Sequence, residues 1–190
     1  SAVEKATETL LHFLEGENAP TEPVDKLKFG LSCCTATSTL EGYATLHHDH
    51  IREIKGLVSK VETYIDDPQH VRPLNFLMLA SPGAGKSHFI ECVAESLERQ
   101  NVTAITFNMA SMSNSDELVR PLDEVRNAKV EDKVPLLFLD EFDSSPSNYA
   151  LLLPLLWDGQ LSLAQRDLKL GKVIIVLAGS SKNLPDALDD

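Results

Sequence analysis

The sequence predicts an α/β fold: a mostly parallel sheet with helices on both of its faces. Three observations carry that expectation. Four runs of strand length, at residues 74–80, 102–108, 134–139 and 173–178, are rich in residues apolar on both faces, as strands buried from two sides must be. The stretches between them repeat apolar residues at helical spacing. A glycine-rich segment joins the first run to the helical stretch that follows it, and strand–helix alternation of this kind builds parallel sheets.

The elements follow in order. Val3, Ala6, Leu10, Leu11 and Leu14 share one helical face, and Gly16 ends that pattern. Residues 17–23 are polar with two prolines and read as a linker, while residues 24–41 give no clear signal. From His50 the helical period returns, with Ile51, Ile54, Leu57, Val58, Val61 and Ile65 on one side until Asp66-Asp67-Pro68 stops it. The first strand is then followed by a helix over 86–100, with Phe89, Ile90, Val93, Ala94 and Leu97 on its buried face. After the second strand comes a helix over 116–129, facing inward with Leu118, Leu122 and Val125. After the third strand, Ser145-Pro146 has the chemistry of a cap followed by a first-turn proline. It opens a helix to about Trp157, which Pro154 is expected to kink or shorten. Trp157 and the leucines at 151–153 and 155–156 read as core or interface. The expected division is an N-terminal helix and linker over 1–40 and an α/β core over 41–190.

Composition narrows the function classes. The 190 residues include 17 Lys and Arg against 29 Asp and Glu, a net charge of −12. So acidic a chain repels phosphodiester backbones, and its Lys and Arg are scattered singly, which disfavours nucleic acid as a partner. No apolar run approaches the ~20 residues that span a bilayer, and no membrane role is expected. The three cysteines, Cys33, Cys34 and Cys92, do not form a disulfide framework. Buried thiols in a reducing cytoplasm are the expected reading.

The chemistry concentrates in Ala80-Ser81-Pro82-Gly83-Ala84-Gly85-Lys86-Ser87. This segment follows a strand and opens a helix, the setting a phosphate-binding loop requires. Gly83 and Gly85 let backbone N–H groups turn toward one point, and the helix N-terminus adds further donors and a favourable dipole. Lys86 can reach the β- and γ-phosphates, and the Ser87 hydroxyl is placed for Mg²⁺. Ala80 stands where the strict motif has glycine, which is tolerable if its φ stays negative. The expected nucleotide-binding residues are Ser81, Pro82, Gly83, Ala84, Gly85, Lys86, Ser87 and His88.

The second feature is Leu136-Leu137-Phe138-Leu139-Asp140-Glu141, 54 residues after Lys86 at its aspartate. An apolar strand here delivers two acids to its C-terminal end, the edge where open parallel sheets bind ligands. Asp140 is expected to hold Mg²⁺ through water, and Glu141 to orient and polarise an attacking water. Asp143 is expected to cap the Ser-Pro helix. The third feature is the strand at 173–178, which ends in Gly179-Ser180-Ser181. A hydroxyl there could bond the γ-phosphate or the water, although serines after a strand commonly mean only a loop.

With these motifs in order, the chain resembles the AAA+ ATPases. Residues 80–87 look like their Walker A loop and residues 136–141 like their Walker B strand. Ser180 falls at their sensor-1 position, with Ser181 the nearby alternative. Leu155-Leu156-Trp157-Asp158-Gly159-Gln160-Leu161, with the polar segment after it, is similar to the helix and hairpin before sensor 1 in Clp-like branches. The resemblance covers roughly residues 40–190. It implies a three-layer αβα P-loop NTPase sandwich with strand order 5-1-4-3-2, and Mg²⁺-dependent ATP hydrolysis using Lys86, Glu141 and Ser180. It also implies a helical lid, a sensor-2 arginine and an arginine finger from a neighbouring subunit. Those would follow Asp190, so the chain is expected to be part of a larger, ring-forming ATPase, and no residue here is assigned to them.

The leading expectation is an ATPase module coupled to remodelling or regulation of a macromolecule, with a protein partner that the sequence does not name. A nucleotide-dependent switch with little turnover is the alternative. A helicase-type motor, suggested by Asp140-Glu141-Phe142-Asp143 as a D-E-x-D box, stands further back because of the charge. His47-His48-Asp49-His50 offers metal-ligating types without a fourth ligand, and reads as a polar helix start.

Overall fold

A computed structural model describes residues 40, 42–43, 45, 48–97 and 101–180. The expected N-terminal helix and linker, Cys33-Cys34, His47 and Ser181 lie outside those residues. The chain divides into two compact units, residues 1–57 and 58–190. In the first, Leu40 and Tyr43 form an isolated bridge, and the Tyr43 ring meets His50 edge-on.

Helix α1 spans His48–Asp66. Asp49 in its first turn favours the positive end of the dipole and pairs with Arg52 at 2.7 Å. The helix ends where Asp67 Oδ1 accepts from the Gln69 N–H at 2.9 Å, a local turn that replaces the next helical bond. Tyr64, rather than the neighbouring Ile65, is the buried residue of the last turn. Its hydroxyl donates to the Arg72 carbonyl at 2.8 Å and accepts from the Val173 N–H at 2.8 Å. A phenol can make both bonds, and an aliphatic side chain can make neither.

The main sheet contains β1 (Leu74–Leu79), β2 (Val102–Asn108), β3 (Val134–Asp140) and β6 (Ile174–Gly179). All pairings in it are parallel and the order is β1–β6–β3–β2. Counted by main-sheet strands alone this is 1-4-3-2, four members of the expected order. Among the described residues no fifth strand joins the sheet. Strand β3 lies between β2 and β6, and Leu136 to Leu139 are fully buried, so both faces are covered.

Alternation sorts the side chains between the two faces. Ile105, Phe107, Leu137, Leu139, Ile175 and Leu177 join one core. That core is completed by Leu118 and by Leu122 and Val125 of α3 (Val119–Val130). Leu152 and Leu155 of α4 (Pro146–Asp158) enter the same cluster. Helix α2 (Lys86–Ser96) packs on β2 and β3 and buries Phe89, Ile90 and Val93. The segment expected to start a helix at 116 begins as a 3-10 turn over Ser115–Leu118. Asn114 Oδ1 accepts from the Asp116 N–H and Glu117 Oε1 from the Ser113 N–H, which holds the tighter turn.

Helix α4 passes through Pro154 without being shortened. Pro154 and Ala150 are both exposed, so water can satisfy the carbonyl that loses its donor. Ser145 sits at the cap position but makes no capping bond, and its hydroxyl instead meets Ser147 Oγ at 2.8 Å. Of the expected α4 core residues, Leu152 and Leu155 are buried while Leu153 and Trp157 are exposed, with the Arg72 guanidinium 5.9 Å above the indole. The antiparallel hairpin of β4 (Gln160–Leu163) and β5 (Arg166–Lys169) follows, as the family resemblance implies. Arg166 ties it to α3 through a two-pronged contact with Asp123 at 3.1 and 3.2 Å. No helix among the described residues is long and apolar enough to cross a membrane.

Candidate functional site

Strand register brings the three sequence features together. Leu79 is paired with Gly179, Asp140 with Ala178, and Asn108 with Asp140. The glycine-rich loop, Glu141 and Ser180 therefore all leave the sheet at one edge, and neighbouring strands are ~4.8 Å apart. The Ala80 N–H donates to the Gly179 carbonyl at 3.2 Å, so the loop begins already attached to β6.

The loop has the geometry of an anion cradle. Gly83 and Gly85 lie at φ +78° and +80°, where side chains are disfavoured, and a Cβ on either would meet nothing within 4 Å. The left-handed backbone is the reason for glycine there, and the space in front of it is open. Ala80 is not among the residues with positive φ, so its departure from the motif costs nothing. Helix α2 starts at Lys86 with Gly85 at the cap position, and no side chain caps it. Its first N–H groups thus point out of the helix unpaired within it, beside the open loop. Ser81 to Gly85, Ser87 and His88 are exposed, and Lys86 is half-buried.

Lys86 Nζ lies 3.9 Å from Asp140 Oδ1. The same carboxylate oxygen accepts from the Glu141 N–H at 3.0 Å. Glu141 itself stands at φ +53°, ψ +38°, the left-handed region, with its side chain at the exposed edge. Such a conformation is strained for a residue with a Cβ, and strain of this kind concentrates at functional sites. Among the described residues no group of three His, Cys, Asp or Glu is placed to hold a metal. Ser87 and Asp140 supply one hydroxyl and one carboxylate, a donor set that suits Mg²⁺ completed by phosphate oxygens and water.

A family model described as the viral superfamily 1 RNA helicase core domain matches residues 76–158, less than half of the chain. The matched span contains both the loop and Asp140-Glu141. The fold is a parallel α/β sheet with helices on both faces. Among solved structures, the chain is similar to the Aeropyrum Pernix ORC2 protein in its ADP form, at 16% identity and a TM-score of 0.46. That similarity covers 75% of this chain and 45% of the other, so the chain spans less than half of that protein's length. No curated protein matches it.

One assignment changes within this site. Asp143 does not cap α4. It is buried at 8% exposure, and its Oδ2 accepts from the Ser180 N–H at 2.8 Å. The expected cap fails because Asp143 lies inside a 3-10 turn, Phe142–Ser144, that turns its carboxylate toward β6. Gly179 is a closely packed position beside the site that the sequence did not single out. A Cβ there would stand 2.7 Å from Phe142 Cε1 and 2.8 Å from Asp143 Cγ, which no side chain fits. Its only sequence signal is being the last residue of an apolar strand. Near Asp143, the Tyr149 hydroxyl is buried with no partner, and burial and then the Asp143 charge push its pKa up, so it stays a neutral phenol. Cys92 is buried in α2 with its Sγ 3.6 Å from His88 Nε2, and burial pushes its thiol up as well. It remains an inert thiol rather than a nucleophile.

Proposed function

We propose that the chain binds ATP with Mg²⁺ and hydrolyses it as an AAA+ type module coupled to remodelling or regulation of a macromolecule. The observation that carries this reading is the shared sheet edge, where an open glycine loop, Lys86, Asp140 and Glu141 converge. Residues 81–88 would cradle the phosphates with backbone N–H groups. Lys86 would neutralise the β- and γ-phosphates. Ser87 and Asp140 would hold Mg²⁺, which supplies charge neutralisation across the phosphate oxygens. Glu141 would orient the attacking water and accept its proton, and Ser180 would bond the γ-phosphate or that water. In the intact protein we expect self-association into a ring, a protein partner and a cytoplasmic setting. An arginine supplied in trans is worth ~10³–10⁵ in rate in comparable systems, so turnover should rise with protein concentration.

The experiment is ATP turnover against protein concentration, with and without the segment that would follow Asp190, for the parent and Glu141→Gln. We expect the variant to bind ATP and to release no phosphate. Equal turnover in both would remove Glu141 from the reaction, and binding without turnover under every condition would favour a nucleotide-dependent switch.

The family match and the D-E-x-D sequence favour a second reading, a helicase-type motor. The −12 charge opposes it. Salt-dependent affinity for single-stranded RNA would decide for the motor.

A further inference from the structure

Asp143 and Asn148 are the buried polar side chains among the described residues. A buried carboxylate requires partners. Asp143 finds one 37 residues away in the chain, in the backbone N–H of Ser180. Two further contacts fix this arrangement. The absence of a Cβ at Gly179 lets the end of β6 close on Phe142 and Asp143. From the other side, Asn148 Nδ2 donates to the Phe142 carbonyl at 3.0 Å and lies 3.3 Å from Ser144 Oγ, holding the turn that carries Asp143. The bond goes to the Ser180 backbone, so it sets where that residue stands without using its hydroxyl. Glu141 leaves the same turn two residues earlier, in the strained conformation described above.

We propose that Asp143 is a positioning residue whose carboxylate clasps Ser180 to the end of β3, so that Ser180 and Glu141 meet bound nucleotide at one fixed spacing. The inference rests on the ATP-hydrolysis reading of the site. A residue that acts only through position should leave nucleotide affinity nearly unchanged and lower the chemical step, whereas a merely stabilising contact would move neither once the protein is folded.

The test compares the parent, Asp143→Ala and Asp143→Asn in ATP affinity, single-turnover hydrolysis and hydrogen exchange at the Ser180 amide. Asparagine keeps one oxygen that can accept from Ser180, and alanine keeps none. For Asp143→Ala we expect ATP affinity within about threefold of the parent, turnover lower by about tenfold or more, and faster Ser180 exchange. Asp143→Asn should restore protection and most of the turnover. Unchanged turnover in a folded Asp143→Ala protein, or an asparagine variant as impaired as alanine, overturns the inference while leaving the ATPase reading intact. A parent that neither binds nor hydrolyses ATP overturns that reading, and the inference with it. Should Asp143→Ala not fold, the parent alone remains decisive: a Ser180 amide that exchanges at the open-peptide rate contradicts the clasp.

Discussion

Lys86 Nζ of the loop helix and Asp140 Oδ1 of β3 stand 3.9 Å apart, with side chains only 10% and 19% exposed. Opposite charges held this close at the edge of a core neutralise each other. The proposed function assigns each a new partner, phosphate for Lys86 and a hydrated cation for Asp140. Asp140→Asn should therefore keep nucleotide binding in EDTA but lose the gain that Mg²⁺ confers. We expect the ratio of affinities with and without Mg²⁺ to fall by ~10-fold or more, the usual effect of losing a ligand that acts on a metal through water. Titration with a fluorescent ATP analogue in both buffers reads the ratio directly.

Glu141 holds a left-handed backbone at φ +53°. That region costs a non-glycine residue ~1–2 kcal/mol, and glycine returns part of the gain through its unfolded-state entropy. Glu141→Gly should accordingly unfold at equal or higher urea concentration than the parent, by up to ~1 kcal/mol, while losing ATP turnover. A variant clearly less stable than the parent would show that the glutamate side chain contributes contacts rather than strain.

Tyr64 makes an alkaline prediction. Burial pushes its phenol up from 10.0 to about 12, against the smaller opposing effect of its backbone hydrogen bonds. The folded protein therefore holds this proton more tightly than the unfolded chain. The associated stability is complete below about pH 10 and is lost as the pH rises through 12. The tighter hold on this proton corresponds to about 2–3 kcal/mol. Tyr64→Phe should lose ~1–3 kcal/mol at pH 8, because the Val173 N–H loses its acceptor, and should show a flatter decline between pH 10 and 12. Urea unfolding across that range measures both effects.

The sheet was legible because buried strands declare themselves. Residues such as Leu136 to Leu139 are apolar on both faces because both faces are covered. The loop was legible because Gly83 and Gly85 are needed for their backbone and Lys86 for its charge. The hairpin was not legible from its own residues. Its turn, Ala164-Gln165, takes positive φ at both positions without the glycine or asparagine that normally announces such a turn. Only the resemblance implied it. Asp143 was misread for a different reason. Local chemistry makes an aspartate before a Ser-Pro pair look like a cap, whereas its actual partner is fixed by the parallel register of β3 and β6.

Nucleotide binding by the loop depends most directly on Lys86. Calorimetric titration of Mg²⁺·ATP into the parent chain and into Lys86→Ala measures it. We predict saturable one-to-one binding by the parent and a loss of ~10²-fold or more in the variant, the scale of removing one partner from a charged contact. Equal affinity in the two proteins would contradict the assignment of the loop.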